Sequence, residues 1–226
     1  MLEAKLVIFD LDGTLVDSVP DLAVAVDNML AHYQLPTAGL ERVQHWVGNG
    51  SLKLVERALM HAQQHADNLS AAHAVFLQAY TDTHHAYSRL YPAVPELLSA
   101  LQARDIKMAI ATNKPQQFIL PILQAFNIAE YFDWIVGGDF LSVKKPDPYH
   151  LFYICEKAAM PPTDAIMVGD SRADIDAANA ALMDNILLRQ GYGQGMDLSS
   201  LGAMLILDDI AALKQHWCLD EIPQHS

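Results

Sequence analysis

An apolar run that leads directly into two carboxylates is the feature that most constrains the fold of this chain. Residues 6–9 are Leu, Val, Ile and Phe without polar alternation, which is typical of a parallel strand covered on both faces. Asp10, Asp12 and Gly13 follow at once. Because open α/β sheets carry their active sites at the carboxyl ends of their strands, we expect Asp10 at that edge. Gly13 permits a tight reversal with positive φ, which would bring Asp12 beside Asp10.

Asp and Gly are also the ordinary residues of a strand-terminating turn, so this stretch alone leaves a purely structural interpretation open. The remainder of the chain decides between the two. From residue 91 onward, apolar runs alternate with helical segments. We predict strands at residues 107–112, 134–136, 165–170, 185–188 and 203–207. The alternation predicts right-handed crossovers and an α/β fold with a doubly wound, mostly parallel sheet.

Residues 16–89 interrupt this pattern with a block in which we predict helices alone. Such a block does not belong inside the sheet, so we predict a core domain of residues 1–15 and 90–226 and an inserted helical cap domain of residues 16–89. The insertion begins just after the Asp12 turn, where a cap can open for entry and close to exclude water. Within the cap, residues 48–50 form either a plain turn or a loop that faces a substrate.

The charge of the chain limits its classes of partner. There are 14 Lys and Arg residues against 27 Asp and Glu, a net charge of -13, which disfavours nucleic acid and anionic membrane surfaces. An anionic substrate would need a local positive site. No apolar run reaches the length of a membrane span, and the two cysteines, Cys155 and Cys218, lie far apart. We expect a cytoplasmic protein that is a monomer or a homodimer.

Polar side chains at four predicted strand ends or loops share one edge of the sheet. They are Asp10 with Asp12, Thr112, Lys145, and Asp170 with Asp174. In-line phosphoryl transfer requires such a set, because three equatorial oxygens must be positioned and their charge neutralised. Lys145 would supply positive charge to a phosphate and Thr112 would donate a hydrogen bond to it.

The remaining members of this set are the four carboxylates. Asp10 is predicted to attack phosphorus and form an aspartyl-phosphate, while Asp12 protonates the leaving oxygen and later deprotonates the attacking water. We expect Mg²⁺ to be held by the Asp10 carboxylate, the Asp12 backbone carbonyl and Asp170. Asp174, one helical turn past Asp170, is predicted to act in the outer shell of this metal site.

Four stretches resemble, in order, the four motifs of the haloacid dehalogenase-like superfamily of phosphotransferases. They are residues 10–14, 112–113, 145–148 and 169–174. The resemblance spans essentially the whole chain, including a helical cap in the family's first insertion position, and implies that family's Rossmann-like core. Dehalogenases lack the second acid, so the presence of Asp12 implies a phosphatase or a phosphomutase.

Three further stretches are similar to bacterial phosphoglycolate phosphatases, which hydrolyse 2-phosphoglycolate. They are residues 16–22, 42–50 and 111–115. The resemblance implies a small phosphorylated metabolite as the partner, selected by the cap. The predicted substrate contacts are Thr112, Asn113 and Lys145 in the core and Gly48, Asn49 and Gly50 in the cap. Arg42 and Lys53 are candidate cap cations for the substrate carboxylate, although solvated positions are favoured for both.

Two local patterns carry separate expectations. Residues 191–195 have the spacing GxGxG, a weak match to the GxGxxG spacing of dinucleotide-binding loops. Leu182 stands where this family often has the glycine that ends a helix, so we expect residues 184–185 to end it instead.

Two other functions stay open. A sugar-phosphate phosphomutase would use the same two acids, Asp10 and Asp12, but would return the phosphoryl group to the sugar. A non-catalytic regulator with this fold would bind phosphate without turnover, although the intact set of acids argues against it.

Overall fold

The predicted apolar runs form a six-stranded sheet at the centre of the protein, in a computed structural model that describes residues 3–63, 68–193 and 198–219. The strands of these residues are β1 (Leu6–Phe9), β2 (Val16–Asp17), β3 (Arg89–Leu90), β4 (Lys107–Ala111), β5 (Trp134–Val136), β6 (Ala165–Gly169), β7 (Asp184–Leu188) and β8 (Leu205–Leu207). The sheet order is β5-β4-β1-β6-β7-β8, and its neighbouring strands are parallel. The predicted α/β fold is confirmed, with β1 inside the sheet.

Helices cover both faces of this sheet. The helices of the described residues are α1 (Val19–His32), α2 (Leu40–Trp46), α3 (Ser51–His61), α4 (Leu69–Asp82), α5 (Val94–Gln102), α6 (Ile119–Ala125), α7 (Tyr149–Ala158), α8 (Arg172–Ala180) and α9 (Ile210–His216). Those that cover the sheet are α5 to α9. Val7 and Phe9 of β1 pack in a cluster with α5, α6 and α9, whereas Leu6 and Ile8 pack in a cluster with α7 and α8. Burial on both faces explains why β1 lacks polar alternation. None of the described helices is long and apolar enough to cross a membrane.

Helices α1 to α4 pack on one another around an apolar core of their own, which includes Met29 and Phe76. The expectation of helices alone in this block is wrong at its two ends, because β2 pairs with β3 in antiparallel orientation. Strands of two residues are too short to show a hydrophobic period, so sequence patterning does not reveal them. The boundaries of the predicted core and cap domains lie beside this strand pair and stay a prediction.

The end of α8 corrects one expectation. The helix ends before residues 184–185, which instead begin β7. Leu182 has a φ of 53°. Met183 N donates to Ala178 O at 2.9 Å and Leu182 N donates to Asn179 O at 3.1 Å. These two hydrogen bonds form the Schellman pattern, in which glycine is the usual left-handed residue. Leucine therefore adopts the left-handed geometry against its own conformational preference.

Candidate active site

The carboxyl ends of β1 and β6 bring three buried carboxylates together. Asp10 follows β1, Asp170 follows β6, and Asp174 lies in the first turn of α8. Their ligand oxygens all lie within 4.8 Å of one another. Gly13 has a φ of 89°, and a Cβ at this position would lie 2.3 Å from Asp170 Oδ2. Only glycine therefore allows the loop after β1 to pass this close to Asp170.

Lys145 is the cation of this cluster. Its Nζ lies 3.1 Å from Asp10 Oδ1 and 2.5 Å from Asp174 Oδ1, and it donates to the Ala111 carbonyl oxygen at 2.5 Å. The other oxygen of Asp174 accepts hydrogen bonds from Ser171 N at 2.9 Å and Ser171 Oγ at 2.6 Å. Both oxygens of Asp174 are thus engaged, and its geometry fits a group that orients Lys145.

Burial of these acids without enough positive charge raises their pKa values. Burial raises the pKa of Asp10 from 3.8 to about 6; the Lys145 charge opposes this rise and the Asp174 charge adds to it. The pKa of Asp170 lies well above its usual value, first through burial and then through the charges of Asp174 and Asp10. Three carboxylates share one ammonium here, so the cluster is short of positive charge.

The donor set fits a hard divalent cation. Asp10 Oδ1 is buried and accepts no hydrogen bond from the described residues, although the Lys145 ammonium lies near it. Carboxylate oxygens are the ligands that Mg²⁺ prefers, and a cation would offset the repulsion between the acids. The residues present can therefore hold a divalent metal ion, for which Asp10, Asp170 and Asp174 offer carboxylate oxygens.

Asp170 is held by two donors from separate parts of the chain. Thr14 Oγ1 donates to Asp170 Oδ1 at 3.2 Å, and Tyr192 N donates to Asp170 Oδ2 at 2.7 Å. The Tyr192 hydroxyl donates to Asp17 Oδ1 at 2.8 Å and accepts from Ser18 N at 2.8 Å. The first part of the glycine-rich segment thus supports Asp170 and contacts the start of the helical block. Residues 194 and 195 of the weak dinucleotide match lie outside the described residues.

Asp12 has a partner that sequence reasoning missed. Lys114 Nζ lies 2.9 Å from Asp12 Oδ1 and 3.1 Å from Asp12 Oδ2, and Ser18 Oγ donates to Asp12 Oδ1 at 2.6 Å. Lys114 Nζ also donates to the Tyr80 hydroxyl on α4 at 2.7 Å. Burial lowers the pKa of Lys114, but the Asp12 charge and Tyr80 outweigh it, and the net shift is upward. The available signal was the position of Lys114, two residues past Thr112 at the end of β4.

Asn113 joins the core to the loop of residues 48–50. Its Nδ2 donates to the Gly48 carbonyl oxygen and to the Lys145 carbonyl oxygen, both at 3.0 Å. Lys144 Nζ donates to the Asn49 carbonyl oxygen at 2.9 Å. The Asn49 side chain faces elsewhere, because its Oδ1 accepts from Arg57 at 2.8 Å. The loop therefore lies against the predicted site, but with the side chain of Asn49 turned aside.

A small cavity, partly open to solvent, lies between α1, α3 and α4 on one side and the sheet edge on the other. It is lined by Asp10, Asp12, Leu22, Val47, Gly48, Gly50, Ser51, Leu54, Phe76, Tyr80, Thr112, Asn113, Lys114, Pro115 and Phe118. Six of the predicted site residues are in this set. Lys145 and Asp170 are not in this set. Lys145 lies beside Asp10, and Asp170 lies beside the loop that contains Gly13.

The two cap cations considered from the sequence lie outside the cavity wall. Arg42 is exposed and donates to the Ala38 carbonyl oxygen at 3.0 Å. The Lys53 side chain is 51% exposed and forms an ion pair with Glu56. Their solvated positions agree with the favoured expectation for both residues.

Comparison with known proteins identifies a matching family and similar proteins. Residues 7–188 match the haloacid dehalogenase-like hydrolase family. A phosphoglycolate phosphatase from Pseudomonas syringae pv. tomato is 45% identical over 220 residues, covering 96% of this chain and 80% of that protein. Phosphoglycolate phosphatase 1 from Pseudomonas aeruginosa is 44% identical over 213 residues, covering 92% of this chain and 78% of that protein.

A solved structure shows the same fold over nearly the full length. The crystal structure of a predicted phosphoglycolate phosphatase from Haemophilus somnus has a TM-score of 0.89 and 36% sequence identity, and the match covers 96% of this chain and 99% of that one. The match extends through the helical block, so the solved structure shares the arrangement of α1 to α4 as well as the sheet.

Proposed function

Because this chain belongs to the haloacid dehalogenase-like hydrolases and is a phosphoric monoester hydrolase, we propose that it hydrolyses 2-phosphoglycolate to glycolate and phosphate through an aspartyl-phosphate. The observation that carries this proposal is Asp10 itself. Its carboxylate lines the cavity at the carboxyl end of β1, where a carboxylate oxygen can attack phosphorus. The names of the two Pseudomonas relatives support the choice of substrate.

The two acids of the β1 loop divide the chemistry between them. A carboxylate oxygen of Asp10 forms a bond to phosphorus as the bond to the glycolate oxygen breaks, and Asp12 transfers its proton to that leaving oxygen. Water then attacks the phosphorus of the aspartyl-phosphate and gives a proton to Asp12. Phosphate leaves and the Asp10 carboxylate is regenerated. Asp12 is held for this role by Ser18 and Lys114.

Asp10, the backbone carbonyl of Asp12 and Asp170 form the proposed Mg²⁺ site. A Mg²⁺ ion held by these residues would supply positive charge to the phosphoryl oxygens in the transition state. Thr14 and Tyr192 orient Asp170 toward this site, and Asp174 orients Lys145.

The proposed substrate contacts divide between the core and the cap. Lys145 and Thr112 face the phosphoryl group, Lys145 as a charge beside Asp10 and Thr112 as a hydroxyl donor. Asn113 lines the cavity and holds the loop of residues 48–50. Gly48 and Gly50 contribute their backbones to the wall, whereas Asn49 acts by shaping the loop.

The proposal extends to the setting of the enzyme. Cys155 and Cys218 are both free thiols, which favours a reducing compartment such as the cytoplasm. The net charge of -13 favours small metabolites over nucleic acid as partners. The active form is proposed to be a monomer or a homodimer.

Phosphate release from a panel of phosphomonoesters tests this proposal. The panel contains 2-phosphoglycolate, ethyl phosphate and a hexose phosphate, each assayed with Mg²⁺ and with a chelator. We expect Mg²⁺-dependent release that is fastest from 2-phosphoglycolate. Faster release from the hexose phosphate would overturn the assignment of 2-phosphoglycolate as the substrate. Isomerisation of the hexose phosphate without phosphate release would identify a phosphomutase. Binding without turnover of any panel member would identify a regulator.

A further inference from the structure

The cavity has one cationic side chain in its wall among the described residues, and it is Lys114. The Lys114 side chain is 2% exposed, and it approaches the cavity at the Asp12 side. Most of the wall around it is apolar, with Phe76 and Leu54 from the cap, and its acids, Asp10 and Asp12, repel anions. A second anionic group on a bound phosphoester would therefore meet favourable charge only at Lys114.

The Tyr80 hydroxyl adds an unused donor at the same point. It accepts a hydrogen bond from Lys114 Nζ at 2.7 Å, and no described residue accepts its own proton. The pKa of Tyr80 is raised to about 12, mainly by burial, so the hydroxyl keeps that proton at neutral pH. A buried donor without an acceptor is unfavourable, so an anion that reaches this point gains a hydrogen bond that the protein already offers.

The packing of Tyr80 fixes the direction of this donor. Its ring stacks on Phe76 with centroids 6.1 Å apart and meets the edge of Phe118 at 4.9 Å. The Lys114 ammonium also lies 4.6 Å from the centre of the Tyr80 ring. The pair is therefore preorganised before substrate arrives, with one member on α4 and the other on the loop after β4.

We propose that Lys114 and Tyr80 bind the carboxylate of the substrate and thereby select short phosphoesters that carry an anionic group at the end remote from phosphorus. The inference rests on the proposed phosphatase activity and names the residues that choose its substrate. Lys114 shares its protons between Asp12 and the incoming carboxylate, while Ser18 keeps Asp12 in position. Tyr80 is a specificity residue supplied by the cap.

The other cations near the site already have different partners. Lys145 contacts Asp10 and Asp174, where the phosphoryl group is transferred. Lys144 binds the Asn49 carbonyl oxygen, and Arg57 binds Asn49 and the Trp46 carbonyl oxygen. The bonds of Lys144 and Arg57 hold the cap loop. Lys114 is therefore the cation proposed to bind the substrate carboxylate.

A length-matched pair of substrates separates recognition from catalysis. We compare 2-phosphoglycolate with ethyl phosphate, which has the same chain length but no carboxylate, in the wild type and in Tyr80→Phe. Phenylalanine keeps the ring contacts and removes the hydroxyl, both as the proposed donor and as the acceptor of the Lys114 hydrogen bond. We expect kcat/KM to fall about tenfold more for 2-phosphoglycolate than for ethyl phosphate, with this difference appearing in KM. Tyr87→Phe, at an exposed tyrosine, is the matched control and should leave both values unchanged.

Lys114→Met provides a second, independent variant. It will lower kcat for both substrates because Lys114 contacts Asp12, but the loss in kcat/KM must be at least about tenfold larger for 2-phosphoglycolate. Lys53→Met, at an exposed lysine of the cap, is its control. Equal losses of kcat/KM for the two substrates in both variants would show that Tyr80 and Lys114 have a structural role only. That result would overturn the inference, while the proposed function would stand. A wild type that does not prefer 2-phosphoglycolate over ethyl phosphate would overturn the proposed function as well.

Discussion

Replacing Asp10 with asparagine should stabilise the metal-free protein while it abolishes phosphate release. Burial raises the pKa of Asp10 from 3.8 to about 6, so the folded state holds its proton more tightly than the unfolded chain does. Ionisation of Asp10 therefore has little effect on the free energy of unfolding below pH 4. It lowers that free energy as the pH rises from about 4 to about 6. At about 1.4 kcal/mol per pH unit, this rise in pKa corresponds to about 3 kcal/mol at neutral pH. An asparagine side chain carries no such charge, so the Asp10→Asn variant should recover up to about 3 kcal/mol.

Urea denaturation in the presence of a chelator measures this difference. We expect Asp10→Asn to exceed the wild type in free energy of unfolding by about 2 to 3 kcal/mol at pH 7.5 and by far less at pH 4.5. Asp208→Asn is the matched control, because the Asp208 side chain is 86% exposed and its ion pair with Arg189 contributes little. An Asp10→Asn protein that is less stable than the wild type at pH 7.5 would refute the reasoning, since it would show that Lys145 more than compensates the buried charge.

Three further predictions follow from the same structure. Mg²⁺ should raise the melting temperature more at pH 7.5 than at pH 5, because protons compete with the metal for Asp10 and Asp170, whose pKa values are raised; equal shifts in differential scanning fluorimetry would contradict this. Leu182→Gly should raise the free energy of urea unfolding by about 0.5 to 1 kcal/mol, since φ is 53° and the side chain is 83% exposed; a loss of stability would contradict it. Tyr192→Phe should lower that free energy by about 2 kcal/mol, because Ser18 N and Asp17 would lose their hydroxyl partner; an unchanged urea midpoint would contradict it.

The fold of the sheet was predictable because strands that are buried on both faces consist almost entirely of apolar residues. Strand β1 and strand β6 consist of apolar residues and end at Asp10 and Asp170, so both the strands and the acids at their carboxyl ends are visible in the sequence. Parallel order then brings these acids together without further information. The cluster of Asp10, Asp170 and Asp174 is the result.

The contacts that cross from the cap to the core were not predictable in the same way. Lys114 and Tyr80 are far apart in the chain, and their hydrogen bond depends on how α4 packs over the end of β4. Nothing in the local pattern around Tyr80 separates it from an ordinary core aromatic. The same holds for Tyr192, whose hydroxyl meets Asp17 only through tertiary packing.

The left-handed residue after α8 shows a different limit. Sequence patterning assumes that glycine takes such positions, so Leu182 suggested that the helix would end elsewhere. The backbone hydrogen bonds of the turn and the start of β7 over-determine the geometry, and leucine adopts it. Local propensity was outweighed here by tertiary structure.

Trapping the phosphorylated enzyme tests the central claim most directly. Wild-type protein mixed with 2-phosphoglycolate and Mg²⁺ is quenched in acid within the first turnover, digested and analysed by mass spectrometry. We expect the peptide containing Asp10 to gain the mass of one phosphoryl group, and the Asp10→Asn variant to show neither this peptide nor phosphate release. A phosphoryl group on another residue, or phosphate release from Asp10→Asn at the wild-type rate, would contradict it.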